Sequence, residues 1–281
     1  MPESTKKTLY RRFVDEVIND GNYDAIPEIF SSAYVDHSAP PGAPQGGFEG
    51  IRAVPEMFRA AFPDVHFLIE SMVEEGDWVA TRVTGTATHL GRPFLGIPPS
   101  GRRVAWSSEG FFRVAGDRIV EHYGQPDLLG LREQLATKPE PGSLDENRAI
   151  IARYVYEVNM ANFDAFDEFV DPDYVDHDPL PGQAPGVSGL KDAYRMFTNA
   201  MPDVWFSFQD LIADGDLVVG RGMTTGTHKG SIMGEPPTNR RITWSGTRLF
   251  RVRDGKVREG WINLDMLGVM RQAGAIPPLA S

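Results

Sequence analysis

The chain has 281 residues, 41% hydrophobic and 24% charged, the balance of an ordinary globular protein. It contains no cysteine, which excludes disulfides, thiolate catalysis and zinc–thiolate sites. The net charge of −11 is spread evenly, with 14 basic against 20 acidic residues in 1–140 and 14 against 19 in 141–281; without a basic stripe, no nucleic acid is expected as a partner.

Apolar residues spaced by three and four predict a helix over Thr8–Asn19, ended by Gly21-Asn22. Asp24 is placed to cap a second helix through Phe30. Tyr34-Val35-Asp36-His37 and a Pro/Gly-rich loop, Ala39–Gly50, come next. A third helix is expected over Ile51–Ala61, stopped at Pro63. From Val65 the pattern alternates with period two. Strands are predicted over Val65–Glu75, Trp78–His89, Arg102–Val114 and Arg118–Gln125, separated by glycine-containing turns. Helices followed by hairpin-linked strands imply an α+β domain with an antiparallel sheet.

The whole pattern then repeats. Tyr34-Val35-Asp36-His37 returns as Tyr174-Val175-Asp176-His177, and Phe62-Pro63-Asp64-Val65 as Met201-Pro202-Asp203-Val204. Thr88-His89 returns as Thr227-His228, Trp106 as Trp244, and Asp127 with Leu129-Gly130 as Asp265 with Leu267-Gly268. The offset drifts only from 140 to 138, as expected of a tandem duplication of one domain. Domains are expected over 1–137 and 143–281, joined by the stiff linker Lys138–Gly142. Ser143 and Glu146 have capping-box spacing at the start of the second copy. No apolar stretch reaches the ~18 residues of a membrane span, and the first residues are polar, so a cytoplasmic protein without membrane contact is expected.

A helical layer on a curved sheet encloses a pocket. His37/His177 and His89/His228 recur in register and are candidates for stabilising or protonating an oxyanion, though a lone histidine can equally be structural. Neighbours on a strand face opposite sides, so of Asp36 and His37 one faces the pocket; His37 is the expected one. Asp127 and Asp265 each follow a strand and precede Leu-Gly. They read either as carboxylates raised in pKa at an apolar mouth and suited to proton transfer, or as helix N-caps. Arg82 and Arg221 serve an oxyanion if inward and are solvated if outward. Tyr34, Trp106, Phe111, Phe112, His122, Trp244 and Trp261 are candidates for shaping the pocket. The loops Ala39–Gly50 and Asp178–Gly189 are expected to edge its mouths.

On Tyr34–His37, Phe62-Pro63-Asp64, Gly85 with Thr88-His89, Pro98–Arg102, Gly116–Tyr123 and Asp127–Gly130, each copy resembles a SnoaL-like polyketide cyclase domain of the wider NTF2-like superfamily. The resemblance covers nearly the whole domain in order and implies a cone-shaped α+β fold. It also implies an intramolecular aldol ring closure on a polyketide-like apolar substrate, with a late aspartate as acid/base and neither metal nor organic cofactor. By position that aspartate is Asp127, and Asp265 in copy two. The family often has Glu-His-Trp before it; copy one reads Glu121-His122-Tyr123 and copy two Glu259-Gly260-Trp261. With His122 replaced by Gly260, the reaction is expected in copy one. An epoxide hydrolase or hydratase of the same superfamily is the alternative, against which no Arg-x-Asp occurs; a non-catalytic small-molecule-binding domain is another. Relatives of one copy pair through their sheets, so an intrachain pseudo-dimer is expected, with further homo-oligomers open.

Overall fold

The computed structural model describes residues 3–40, 42–232 and 235–275. Pro41, inside the loop expected to edge the first mouth, and 276–281, at the end of the second expected domain, lie outside the described residues. Contacts divide the chain into two compact units, Met1–His89 with Arg103–Ala136, and Leu90–Arg102 with Thr137–Ser281.

The first unit opens with α1 (Thr5–Arg12), capped by Ser4, whose Oγ accepts from the Lys7 amide at 3.3 Å. A π-helical turn, Phe13–Asn19, continues it. Then come α2 (Ile26–Ile29), β1 (Phe30–Asp36), α3 (Gly47–Ala61), β2 (His66–Glu75), β3 (Trp78–Thr88), β4 (Arg103–Ala115), β5 (Arg118–Pro126) and α4 (Leu128–Ala136). The sheet order is β1-β5-β4-β3-β2. Strands β2 to β5 pair antiparallel, as the hairpin turns predict. β1 departs from the expectation. Phe30 ends the short helix instead of extending it, and the strand lies parallel to β5, so the sheet is mixed. No hairpin announces that pairing, because parallel neighbours are joined by long connections.

The second unit repeats this order: α5 (Leu144–Asn159), α6 (Phe166–Phe169), β6 (Val170–Asp176), α7 (Gly186–Ala200), β7 (Trp205–Asp214), β8 (Leu217–Thr227), β9 (Arg241–Arg253), β10 (Lys256–Leu264) and α8 (Met266–Ala273). Its sheet order, β6-β10-β9-β8-β7, matches the first, with β6 parallel to β10. Ser143 caps α5 by accepting from the Glu146 amide at 3.1 Å, as the capping-box spacing predicts. Each copy is thus an α+β unit with a mixed five-stranded sheet covered by helices.

Much of the repeated sequence is explained by clamps between elements. Asp64 accepts from the Thr88 amide at 2.7 Å and its hydroxyl at 2.6 Å, and Asp203 does the same with Thr227 at the same distances. These donors hold the Asp203 carboxyl below its ordinary range, the Thr227 hydroxyl most of all. The amide of Asn19 exchanges two hydrogen bonds with the backbone of Phe67, and Asn159 with that of Phe206, tying the first long helix of each copy to the edge strand.

The two long helices differ by one residue. Arg12 pairs with Glu16 and Glu28, as Arg153 pairs with Glu157 and Glu168, an offset of 153 − 12 = 141. The asparagine clamp gives 159 − 19 = 140. Copy one therefore carries an extra residue between these points, and it is absorbed by the π-helical turn, whereas α5 is α-helical throughout. Below the turn, Leu9, Tyr10, Val14 and Val17 are buried with Phe30, Tyr34, Ile51 and Phe112 in the first core. The second core is built on Ile151, Tyr154, Phe166, Leu190, Trp244 and Phe250. Among the described residues no helix is long and apolar enough to cross a membrane.

Candidate active site

The parallel register of β1 and β5 sets Asp36 opposite His122. Both side chains point to the helix-covered face, and the His122 Nδ1 lies 3.2 Å from Asp36 Oδ1. Ser38 donates to the same Oδ1 from its amide at 2.9 Å and its hydroxyl at 2.8 Å, and its Oγ accepts from the Gly124 amide at 2.8 Å. Asp36 is 9% exposed and the His122 side chain 21%. Burial would raise the Asp36 carboxyl, but the His122 ring and the Ser38 donors together hold it below the ordinary range. In the neutral tautomer that donates from Nδ1 to this carboxylate, Nε2 carries the ring's lone pair.

The ring of His122 stacks on Phe112 at 4.3 Å, and Tyr10 packs against the same phenylalanine at 4.6 Å. Small residues make room for the imidazole: a Cβ at Gly124 would stand 2.7 Å from Nε2, and one at Gly110 3.2 Å. Tyr34 is buried in the same core; burial and the Asp36 charge push its phenol up, so it stays a neutral donor. Burial likewise pushes Tyr10 up to about 12, against a hydrogen bond with Thr81. Trp106 lies inward on β4, stacked on Phe58 at 5.6 Å, with its indole N–H buried and without a hydrogen-bond partner among the described residues.

The choice between Asp36 and His37 goes the opposite way to expectation. Asp36 takes the inward place and His37 the outer face, stacked on Tyr123 at 4.2 Å and 3.6 Å from Glu121. Strand alternation decides this, since Val35 and Glu121 are paired outward while Asp36 and His122 are paired inward. His177 is placed likewise, stacked on Trp261 at 4.2 Å with Glu259 at 2.9 Å. Phe111 also points outward, opposite to Phe112, and with Tyr123, Val73 and Trp78 lines a groove of about 630 Å³ on that outer face. Arg82 and Arg221 are outward and pair with Glu109 and Asp210.

Asp127 and Asp265 occupy the N-cap positions that were the other reading of their spacing. Each accepts at 2.8 Å from the amide three residues on, Gly130 and Gly268, and each is exposed. A Cβ at either glycine would fall within 2.3 Å of the capping carboxylate, which explains the repeated Leu-Gly. His89 and His228 are fully buried, His89 beside Phe62 and His228 with its Nδ1 3.1 Å from the Thr238 hydroxyl.

Copy two lacks the inward pair. Asp176 accepts from Gln183 at 2.9 Å and from the Asp178 amide at 3.1 Å, and its strand partner is Gly260. The Tyr174 hydroxyl fills the space a side chain there would need, since a Cβ at Gly260 would lie 1.9 Å from it. Trp244 is buried like Trp106, and its indole N–H also has no hydrogen-bond partner among the described residues.

A family model, SnoaL-like polyketide cyclase, matches residues 8–135 and again 149–273. The chain belongs to that family. Among its relatives, aklanonic acid methyl ester cyclase DnrD of Streptomyces peucetius is 31% identical over 134 residues, 47% of this chain and 91% of its own length. Nogalonic acid methyl ester cyclase of Streptomyces nogalater is 29% identical over 121 residues, 42% of this chain and 87% of its own. Among solved structures, TsrD from Streptomyces laurentii aligns with a TM-score of 0.45 at 26% identity, over 48% of this chain and 98% of its own. The family model matches once in each copy, so two units of the family stand in tandem here.

Proposed function

We propose that this chain closes a ring in a polyketide-like substrate by side-chain acid–base chemistry, and that the first copy does so through Asp36 and His122. The observation that carries the reading is the inward His122, held by a charged buried carboxylate on Nδ1 and making no hydrogen bond through Nε2 among the described residues. Nε2 takes the proton from the carbon alpha to a carbonyl, Asp36 stabilises the resulting imidazolium, and the new carbon–carbon bond forms as the acceptor carbonyl takes the proton back. Atoms are conserved, so product and substrate have the same mass. Holding the two ends of one molecule together can contribute on the order of 7–11 kcal/mol, so few polar groups are required among Phe112, Trp106, Tyr10 and Tyr34. The exposed N-caps Asp127 and Asp265 are not part of this scheme.

The relatives' names supply the first substrates to test, aklanonic and nogalonic acid methyl esters. The full chain is expected to convert at least one such aromatic polyketide ester to a product of equal mass and changed retention. His122→Gln should lower kcat by at least ~10²-fold, the lower range for general acid–base catalysis. Full activity in His122→Gln would refute the assignment of the base, and no turnover of any polyketide ester would refute the reading as a whole.

A further inference from the structure

The second unit buries a cation that no acid among the described residues neutralises. Arg248 lies on β9, where the repeat offset 248 − 110 = 138 puts Gly110 in the first copy. It is 7% exposed, its Nη1 donates to the Tyr194 hydroxyl at 2.6 Å, and its guanidinium stands 5.0 Å from the Phe206 ring. Tyr194 also accepts from Tyr154 at 3.0 Å. The Tyr154 phenol is not a counter-ion, because burial pushes it well up and it stays neutral at pH 7. Among the described residues the Arg248 guanidinium forms no ion pair, and its one hydrogen bond is that to Tyr194.

A guanidinium has five N–H donors and remains charged at any pH the fold withstands. Left without an anion in an apolar interior it is strongly destabilising. It lines a small cleft of about 20 Å³ with Val155, Phe208, Gly222, Thr224 and Leu264. That is more than the ~10–15 Å³ one water needs, and less than any ring system requires. Room for about one water is room for an acceptor oxygen of a charged head group, and the donor fork of an arginine matches such a group. We propose that the second copy is a carboxylate-binding site, in which Arg248 receives the carboxylate of a small organic acid or of a longer ligand whose body stays outside the cleft. The site is independent of the reaction assigned to the first copy.

The test uses the full chain in carboxylate-free buffer, with formate and acetate as probes, and bromide and sulfate at matched ionic strength as controls. Formate and acetate are expected to raise Tm by several degrees in a saturable way, and Arg248→Met to abolish the rise. Arg248→Lys, which keeps the charge without the fork, should bind more weakly than the native chain. If Arg248→Met fails to fold, broadening of the ¹³C-formate resonance by the native chain, reversed by excess acetate, reads the same site directly. No saturable rise and no broadening would overturn the proposal, as would a rise that persists in Arg248→Met. An equal effect of bromide would overturn it too, since it would identify a halide site.

Discussion

Asp36 is nearly buried, yet its carboxyl titrates below the ordinary range, because His122 and the Ser38 donors outweigh the effect of burial. A carboxyl whose folded pKa lies below its unfolded value near ~3.9 stabilises the fold above that value. The contribution is lost as the pH falls through the lower folded value. Asp36→Asn cannot titrate, so urea unfolding should find the native chain more stable than Asp36→Asn at pH 7, with the gap closing toward pH 3. A gap that is constant or widens on acidification would show that the native structure does not hold the charged form. His122 is legible in the sequence as a pocket candidate and Asp36 only as the alternative to the favoured His37, and their pairing is not legible. They are 86 residues apart, and period two states only that Asp36 and His37 face opposite ways. The side that is buried is settled by the β1–β5 register, which no local pattern carries.

The first long helix of copy one holds its extra residue in a π-helical turn, and such turns inside α-helices are frequent at functional sites. Here it sits beside Phe13 and Tyr10, whose rings meet Phe112, the ring on which His122 stacks. Deleting Ile18 should restore the uninterrupted helix of α5 and shift Tyr10 and Phe13 against the clamp at Asn19. A misplacement of about 1 Å near reacting groups can reduce the rate ~10²-fold, so kcat/KM should fall while far-UV circular dichroism keeps its helical signal. Unchanged kcat/KM in a folded variant would assign the turn to packing alone. Helices and hairpin strands were readable in the sequence because their periods, 3.6 and 2, are local. The π-helical turn was not, since one inserted residue leaves the apolar stripe intact and shows only as offsets of 141 and 140. The parallel pairing of β1 is not readable for a related reason: the strand is short, its register shifts between Phe30 and Val35, and its partner lies far along the chain.

Within the whole chain the two copies have kept one architecture and exchanged their interior chemistry. The Asp–Thr clamps, the asparagine clamps and the aspartate N-caps are the same in both, which is why the repeat is so plain in the sequence. The inward polar residues are where they differ. Copy one has His122 against Asp36 with Gly110 beneath the ring; copy two has Gly260 filled by Tyr174, and an arginine at the Gly110 position. An acid–base pair in one interior and a buried cation in the other are expected of domains that have divided their tasks. Equivalent substitutions in the two copies separate this from a chain with two working sites. Asp36→Asn keeps the side-chain shape but removes the charge that orients and stabilises the His122 ring, and should lower kcat by at least ~10²-fold. Asp176→Asn alters a carboxylate that faces Gln183 and the Asp178 amide and has Gly260, not a histidine, as its strand partner, and kcat should stay within about a factor of two. Both variants would be assayed as full chains on the same polyketide ester, with Tm measured to confirm folding. Equal losses would mean that both interiors turn over substrate, and a loss confined to Asp176→Asn would move the reaction to the second copy.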